Sequence, residues 1–381
     1  MAGGLERITK DNAETAIENP EYLTTQLITC IGNKRSLLGF IGKGLELVKK
    51  RLNKDKMDSF DVFSGSGIVA RYMKRYSRTI YVNDLEKYSS LINECYLTNK
   101  SDFNSSAFTD IYDEVVNELD NAALVPGFIT QMYSPKDDCS IQENERVFYT
   151  SRNAKYLDTA RRLIEQISKQ YQKYLLAPLL SEASIHANTS GVFKGFYKNS
   201  DTGVGQFGGR NQDALDRITG DIRIPYPVFS NYDCDSVVFN GDSNLICEDV
   251  PEVDIAYIDP PYNQHPYGSN YFMLNLISEY KKPISISNVS GIPSDWKRSN
   301  YNRRNSAYNA LQSLVEKIKA KYLLISFNSE GFIRLESMRK LLKKHGKISV
   351  LETQYNTFRG SRNFSANNTY IREYLYLLEK K

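Results

Sequence analysis

The chain has 381 residues, with 49 Lys+Arg against 45 Asp+Glu and the hydrophobic and charged fractions of a globular protein, which suits one large domain or two ordinary ones. The mildly basic balance permits a nucleic-acid partner without demanding one. No apolar run approaches the roughly 20 residues that span a bilayer, and the five scattered cysteines (Cys30, Cys95, Cys139, Cys234, Cys247) form no Cys-x-x-Cys pair and have no histidine spaced to complete a metal site. The cysteines are therefore expected to be reduced core residues of a cytoplasmic protein with no metal. The polar stretch Met1 to Asn19 has no apolar signal region and reads as a frayed tail.

A glycine turn, Ile31-Gly32-Asn33-Lys34-Arg35, leads into an apolar helical pattern from Ser36 onward. Phe60 to Ser64 reads as the first strand and stops at Gly65-Ser66-Gly67, where a helix, Ile68 to Tyr76, opens. Thr79 to Val82 is the second strand, ending in Asn83-Asp84, with a helix from Ser89 to Asn99 behind it. The span Asp110 to Cys234 breaks this rhythm and is too long for a loop inside a compact domain. It carries helical patterns at Ala154 to Gln172 and Tyr174 to Asn188, then a Gly/Lys/Asn-rich region from Thr189 to Arg210. It reads as an inserted, mainly helical lobe, dividing the chain into residues 1–109, 110–234 and 235–381.

Strands resume at Ser236 to Phe239, ending in Gly241-Asp242, and at Asp254 to Ile258, ending in Asp259-Pro260-Pro261-Tyr262-Asn263. Lys281 to Asn305 is irregular and polar. A helix, Ala307 to Ala320, precedes a fifth strand, Tyr322 to Phe327, and another, Glu330 to His345, follows it. Lys347 to Tyr355 and Glu373 to Leu378 are expected to close the sheet as an antiparallel pair, with Phe358 to Thr369 looping between them. Strand–helix alternation of this kind argues an α/β fold with a mainly parallel sheet, whose ligands sit beyond the carboxyl ends of the strands.

The chemistry-bearing residues fall at those ends. Glycines after the first strand let backbone approach a ligand, and the next helix offers free N–H groups. Asp61 before the turn, with no third spaced glycine, favours S-adenosylmethionine (AdoMet) over a pyrophosphate. Asp84 is placed to accept from ribose hydroxyls or to cap a helix. Asp242 is placed to accept from an adenine amine or to form an Asx turn. Cations at a helix start oppose its dipole, so Lys34 and Arg35 hint at an anionic partner. Asp259 supplies a carboxylate, Pro260 a free carbonyl and Tyr262 a flat ring. Together they would hold the amino group of a base, its two N–H bonds donated to Asp259 and the Pro260 carbonyl, with orientation and electrostatics doing the catalysis. Lys297 to Arg304 and Arg359 to Asn363 mix cations with Tyr, Asn and Ser and suit phosphate contact. The histidines His186, His265 and His345 are given no catalytic role, although His265 lies near the acid–proline turn.

With Ile31 to Arg35, Asp61 to Gly67, Asn83-Asp84, Asp259 to Asn263, Tyr267, Asn270-Tyr271, Ser326 to Asn328 and Tyr355 to Gly360 in this order, the chain resembles the Dam-like, α-arrangement adenine-specific DNA methyltransferases. The resemblance implies a seven-stranded Rossmann-like AdoMet-dependent sheet with an inserted target-recognition lobe, acting on an adenine flipped out of duplex DNA. It implies that Lys34 meets the AdoMet carboxylate, that Phe63, Gly65 and Gly67 line its methionine part, and that Asp84, Asp242 and Asp259 complete the cofactor site. Catalysis falls to Asp259, Pro260 and Tyr262. Substrate contact falls to Asn263, Phe358, Lys194, Arg298, Arg303, Arg304, Arg359 and Arg362, with Phe358 a second stacking partner. It also implies a place in a restriction–modification system whose endonuclease is a separate chain. Methylation of cytosine N4, methylation of RNA, and a non-catalytic nucleic-acid-binding role on the same fold stay open on the residues alone.

Overall fold

The computed structural model describes residues 17–29, 31–209, 211–356 and 370–381. Seven strands form one sheet: β1 Met57–Asp61, β2 Ser77–Asp84, β3 Asp235–Asn240, β4 Val253–Ile258, β5 Ala320–Asn328, β6 Gly346–Asn356 and β7 Tyr370–Lys380. Their spatial order is β3-β2-β1-β4-β5-β7-β6. The first five strands are parallel, while β7 enters antiparallel between β5 and β6. The strand order reverses between β1 and β4. Connections there leave to opposite sides, and a crevice opens beyond the two carboxyl ends.

β4 is buried along its whole length, as a central parallel strand must be. Its alternation sends Ile255 and Tyr257 to one face and Ala256 and Ile258 to the other. The helices Leu38–Leu52 and Ile68–Met73 cover the first face. Ser243–Asp249, Arg304–Lys317 and Leu335–Lys343 cover the second. A third apolar core joins the helices of residues 105–185 to Lys87–Tyr96 and Phe272–Glu279 through Phe108, Leu157, Leu179, Ile92 and Met273.

Several boundaries differ from the sequence expectation. β1 spans Met57–Asp61 rather than Phe60 to Ser64. Its polar Ser59 is buried because its hydroxyl accepts from Ser77 across the pair, at 2.9 Å. The helix expected from Ile68 to Tyr76 tightens to a 3₁₀ turn at Lys74–Tyr76. The break placed near residue 173 falls at Ile167, whose extended backbone (φ −81°, ψ 163°) separates Ser151–Gln166 from Lys169–Ile185 and lets its side chain pack inward. The helix expected from Glu330 starts at Leu335, because the Asn328 side chain takes the Glu330 N–H and forms a turn after β5. The helix expected from Ala307 begins at Arg304 and ends at Lys317. Residues 17–19 are not frayed: the Glu18 carboxylate accepts from the Ser230 hydroxyl at 2.8 Å and from the Asn231 N–H at 3.0 Å. Cys139 is exposed in a turn, whereas Cys95, Cys234 and Cys247 are buried thiols. Phe358, Arg359, Arg362 and Cys30 lie outside the described residues.

Candidate active site at the carboxyl ends of β1 and β4

Hydrogen bonding from β1 continues past Asp61, with the Val62 N–H donating to Tyr257 and the Ser64 N–H to Asn83, both at 3.0 Å. The chain then turns through Gly65 (φ +54°) and Gly67 (φ +73°), a left-handed region that costs an L side chain strain. A Cβ on Gly67 would stand 2.8 Å from the Asn93 side-chain oxygen, whereas one on Gly65 would meet nothing within 4 Å. Gly65 therefore presents bare backbone to open space.

Asp84 ties this turn to β2. Its carboxylate accepts from the Gly65 N–H at 2.8 Å and from the Glu86 N–H at 2.9 Å. Asn83, fully buried, donates to the Val62 and Gly241 carbonyls and to Ser243, binding the ends of β1, β2 and β3 together. Asp242 is the N-cap of the helix Ser243–Asp249, accepting from the Asn244 N–H at 2.9 Å. This side-chain bond two residues on is the Asx turn expected of Asp242, and the residue still faces the crevice.

The crevice is an open cleft of about 990 Å³. Lys34, Phe63, Gly65, Asp84, Asp242 and Asp259 all line it, together with Glu86, Asn244 and Tyr301, which sequence reasoning did not single out. Tyr301 packs its ring edge-on against Phe63 with centroids 5.0 Å apart, and its hydroxyl donates to Asn244 at 2.8 Å. The basic run Lys297 to Arg304 is therefore not all solvated. Tyr301 anchors it, while Arg298, Arg303 and Arg304 remain exposed. Burial first, then Asp84, pushes the Glu86 carboxyl up to about 7, and Asn275 and Lys297 oppose the shift.

At the end of β4 the Pro260 imide has no N–H, and the parallel ladder stops. The Tyr262 carbonyl accepts from the Phe332 N–H at 3.0 Å, and its ring rests edge-on against Phe327, centroids 5.8 Å apart. A smaller recess of about 270 Å³ on this turn is lined by Ile31, Pro261, Tyr262, Asn263, His265, Tyr267 and Asn270. The two hollows share Ile31, Pro261 and Tyr267. The Asn302 side chain donates to the Asn263 carbonyl at 2.9 Å, joining the basic loop to the recess. Exposed Lys194 follows Phe193, whose N–H donates to the Asn270 carbonyl at 2.7 Å.

Lys34 is set by its neighbours. The Asn33 side chain takes the Arg35 N–H at 2.8 Å, and the Arg35 guanidinium turns away to the Thr24 and Thr25 carbonyls. Tyr267 and Tyr271 pin Ile31 through its carbonyl and its N–H. The Lys34 ammonium consequently points inward, 3.2 Å from Asp259 Oδ1 and 3.1 Å from Glu373 Oε1. Burial works against that charge, but the two carboxylates outweigh it and hold the lysine well above its ordinary pKa. Burial pushes the Asp259 carboxyl up to about 6, with Lys34 opposing and Glu373 adding to the rise. Asp61, wholly buried, is pushed well above the carboxylate range by burial and then by Asp259 and Asp84.

The doubly wound sheet, the glycine turn at its switch point and the acid–imide–aromatic turn on β4 together define a methyltransferase of the α/β type. The chain belongs to the D12 class N6 adenine-specific DNA methyltransferase family, whose sequence profile matches residues 31–341. Among its relatives, Type II methyltransferase M.NlaIII of Neisseria lactamica is 28% identical over 92% of this chain and 98% of its own length. Type II methyltransferase M.CviAII of Paramecium bursaria Chlorella virus 1 is 28% identical over 90% of this chain and 98% of its own. Type II methyltransferase M.FokI of Planomicrobium okeanokoites is 27% identical over 92% of this chain and 52% of its own. The activity is methylation of adenine N6 in DNA.

Proposed function

We propose that the larger cleft takes AdoMet and the smaller recess the target adenine, with Asp259 between them, in a restriction–modification enzyme that acts beside a separate endonuclease. The observation that carries this is the pair of hollows meeting at the acid–proline turn. The larger one suits AdoMet: bare backbone at Gly65, aromatic walls at Phe63 and Tyr301, and acids at the ends of β2 and β3. Phe63 and Gly65 would face its methionine part, Asp84 its ribose and Asp242 its adenine; Gly67, which packs against Asn93 and does not line the cleft, would hold the turn in shape. Lys34, on the cleft wall, would share its charge between the donor's carboxylate and the acids beneath it. The designation of two close relatives as Type II methyltransferases supports the restriction–modification setting.

AdoMet, when bound, supplies a methyl group on a sulfonium sulfur, which keeps the electron pair of the broken carbon–sulfur bond. The residues of this chain prepare the acceptor. Adenine N6 is a poor nucleophile because its lone pair is delocalised into the ring. Asp259 and the Pro260 carbonyl, accepting its two N–H bonds, favour a pyramidal nitrogen with the lone pair free for the new bond. Positive charge then grows on N6 next to Asp259, where a fixed carboxylate stabilises it. The methylated nitrogen releases one proton, and Asp259 is the nearest base. Tyr262 stacks on the flipped base, and Asn263 borders it. Arg298, Arg303, Arg304 and Lys194 contact phosphate. Residues 110–234 serve target recognition, and the enzyme works in the cytoplasm, where its DNA is.

Radiolabelled methyl transfer to duplex DNA, followed by nucleoside analysis, tests the reading. Label should appear in N6-methyladenine, and Asp259→Ala should bind AdoMet by calorimetry yet transfer nothing. Label confined to N4-methylcytosine, or full transfer by that variant, would refute it.

A further inference from the structure

Glu373 lies on β7, in a row with Asn328 of β5 and Thr353 of β6, far in sequence from both Lys34 and Asp259. Its side chain is 1% exposed, and the Lys34 and Asp259 side chains beside it are 4% and 16% exposed. One ammonium thus serves two carboxylates in a nearly closed space. Ser326 of β5 donates to the same Glu373 oxygen that faces Lys34, at 2.6 Å, and so fixes its direction. Among the described residues the hydroxyls of Tyr257 and Tyr262 also face Lys34, and Asp259 in turn raises the buried Asp61 of β1.

The arrangement has a consequence for Asp259. With Lys34 alone, Asp259 would be half of a closed, neutral ion pair, its charge already spent. Glu373 draws the ammonium partly to itself and leaves the cluster with one net negative charge. That charge lies beside the recess in which the amine turns cationic during transfer. Resting on the reading of Asp259 as the acceptor of the target amine, we propose that Glu373 is a positioning residue for methyl transfer: it shares the Lys34 ammonium with Asp259, at 3.1 Å against 3.2 Å, so that Asp259 is only partly neutralised and meets the amine as a strong acceptor. The elevated pKa of Asp259, to which Glu373 contributes, points the same way.

The test measures methyl transfer to unmodified plasmid DNA at saturating AdoMet, from about pH 5 to about pH 9, for the full chain and for Glu373→Gln. Glutamine keeps an acceptor for Ser326 and removes only the charge. The plateau of kcat/KM should fall about tenfold, because a charge next to the reacting nitrogen is lost. The acid limb should move about one pH unit lower, because Asp259 loses a like-charged neighbour and Lys34 presses harder on it. AdoMet affinity by calorimetry should stay within about threefold. Ser326→Ala, which keeps the charge and loosens its direction, should shift both quantities the same way by less, and it decides the matter if Glu373→Gln does not fold. A plateau and limb that coincide with the parent's overturn the proposal. So does a slower rate with an unmoved limb and a lowered melting temperature, which is the mark of a merely structural residue. Asp259→Asn is run alongside. If it transfers methyl at the parent's rate, the reading of Asp259 itself fails, an outcome distinct from a silent Glu373.

Discussion

Replacing Asp259 by Asn should make the protein more stable while stopping the reaction. A carboxyl held at about 6 instead of 3.8 is harder to ionise in the folded chain than in the unfolded one. At neutral pH that difference costs the fold about 3 kcal/mol at most. Asparagine has nearly the same shape and no charge, so it escapes the cost. Lys34 keeps Glu373 as a partner at 3.1 Å and is not stranded. Allowing for relaxation, the expected gain is about 1–3 kcal/mol, or about 1–4 °C for a chain of this length. The sign depends on pH. Below about pH 3 both states carry a neutral carboxyl and the two proteins should match; the gap opens as pH rises past about 4, where the unfolded carboxyl ionises, and levels off above about pH 7, once the folded one has ionised too. Glu86 titrates abnormally too, but it is common to both proteins and cancels in the difference; Asp61, raised in part by Asp259, is eased by the substitution, which works in the same direction. Urea titrations at about pH 4.5 and about pH 8, compared by midpoint at equal slope, read the gap. Single-turnover transfer should fall by about 10²-fold or more, as for loss of a fixed group facing developing charge. A variant less stable than the parent at pH 8, or a gap that ignores pH, would show that Asp259 is not the strained carboxylate described here.

The glycine turn offers a paired comparison. Gly67→Ala, with φ +73° and a Cβ 2.8 Å from Asn93, should cost about 1–3 kcal/mol of stability in a thermal melt. Gly65→Ala, with φ +54° and open space around the new methyl, should cost about 1 kcal/mol and show its main effect as weaker AdoMet binding by calorimetry. The parent's kcat/KM should rise with pH through about 6, as Asp259 ionises, and a profile flat across that region would contradict the assignment. Arg303→Ala and Arg304→Ala, both at exposed positions, should each lower the slope of log affinity against log salt by about 1 in a DNA-binding titration, while AdoMet affinity stays unchanged.

The strand-end acids were legible because their signals are local. A short apolar run that stops at Gly-Ser-Gly, Asn-Asp or Asp-Pro-Pro announces both the strand and its end, and the structure brings Lys34, Phe63, Gly65, Asp84, Asp242 and Asp259 to one cleft. The antiparallel closing pair was legible as well, but not that β7 would enter between β5 and β6. That placement is decided by tertiary packing, and it is what carries Glu373 under Lys34. The one available hint was an acid opening an otherwise apolar strand, Glu373 to Leu378. Tyr301 was hidden for the opposite reason: it sits in a run of cations whose composition says surface, and its ring contact with Phe63 and hydroxyl bond to Asn244 draw it inward. Ile167 broke a helix for the sake of a core shared with helices distant in sequence. No window of local periodicity contains that information.

The buried cluster sets stability against chemistry. An ammonium between two carboxylates is a poor way to stabilise a fold, since each charge gives up water and the acids repel one another. Leaving either acid out would relieve the repulsion, and an apolar residue at 373 would continue the pattern of β7 without a break. The fold instead commits a β5 hydroxyl, Ser326, to fixing Glu373. It also commits two tyrosines, Tyr267 and Tyr271, to fixing the loop that delivers Lys34. Each of these contacts orients a charge rather than neutralising one. What the expense leaves at the end of β4 is a carboxylate that is desolvated, aimed and only partly paired. A transfer that moves positive charge onto an amine needs an acceptor of that kind, already in place before the charge arrives.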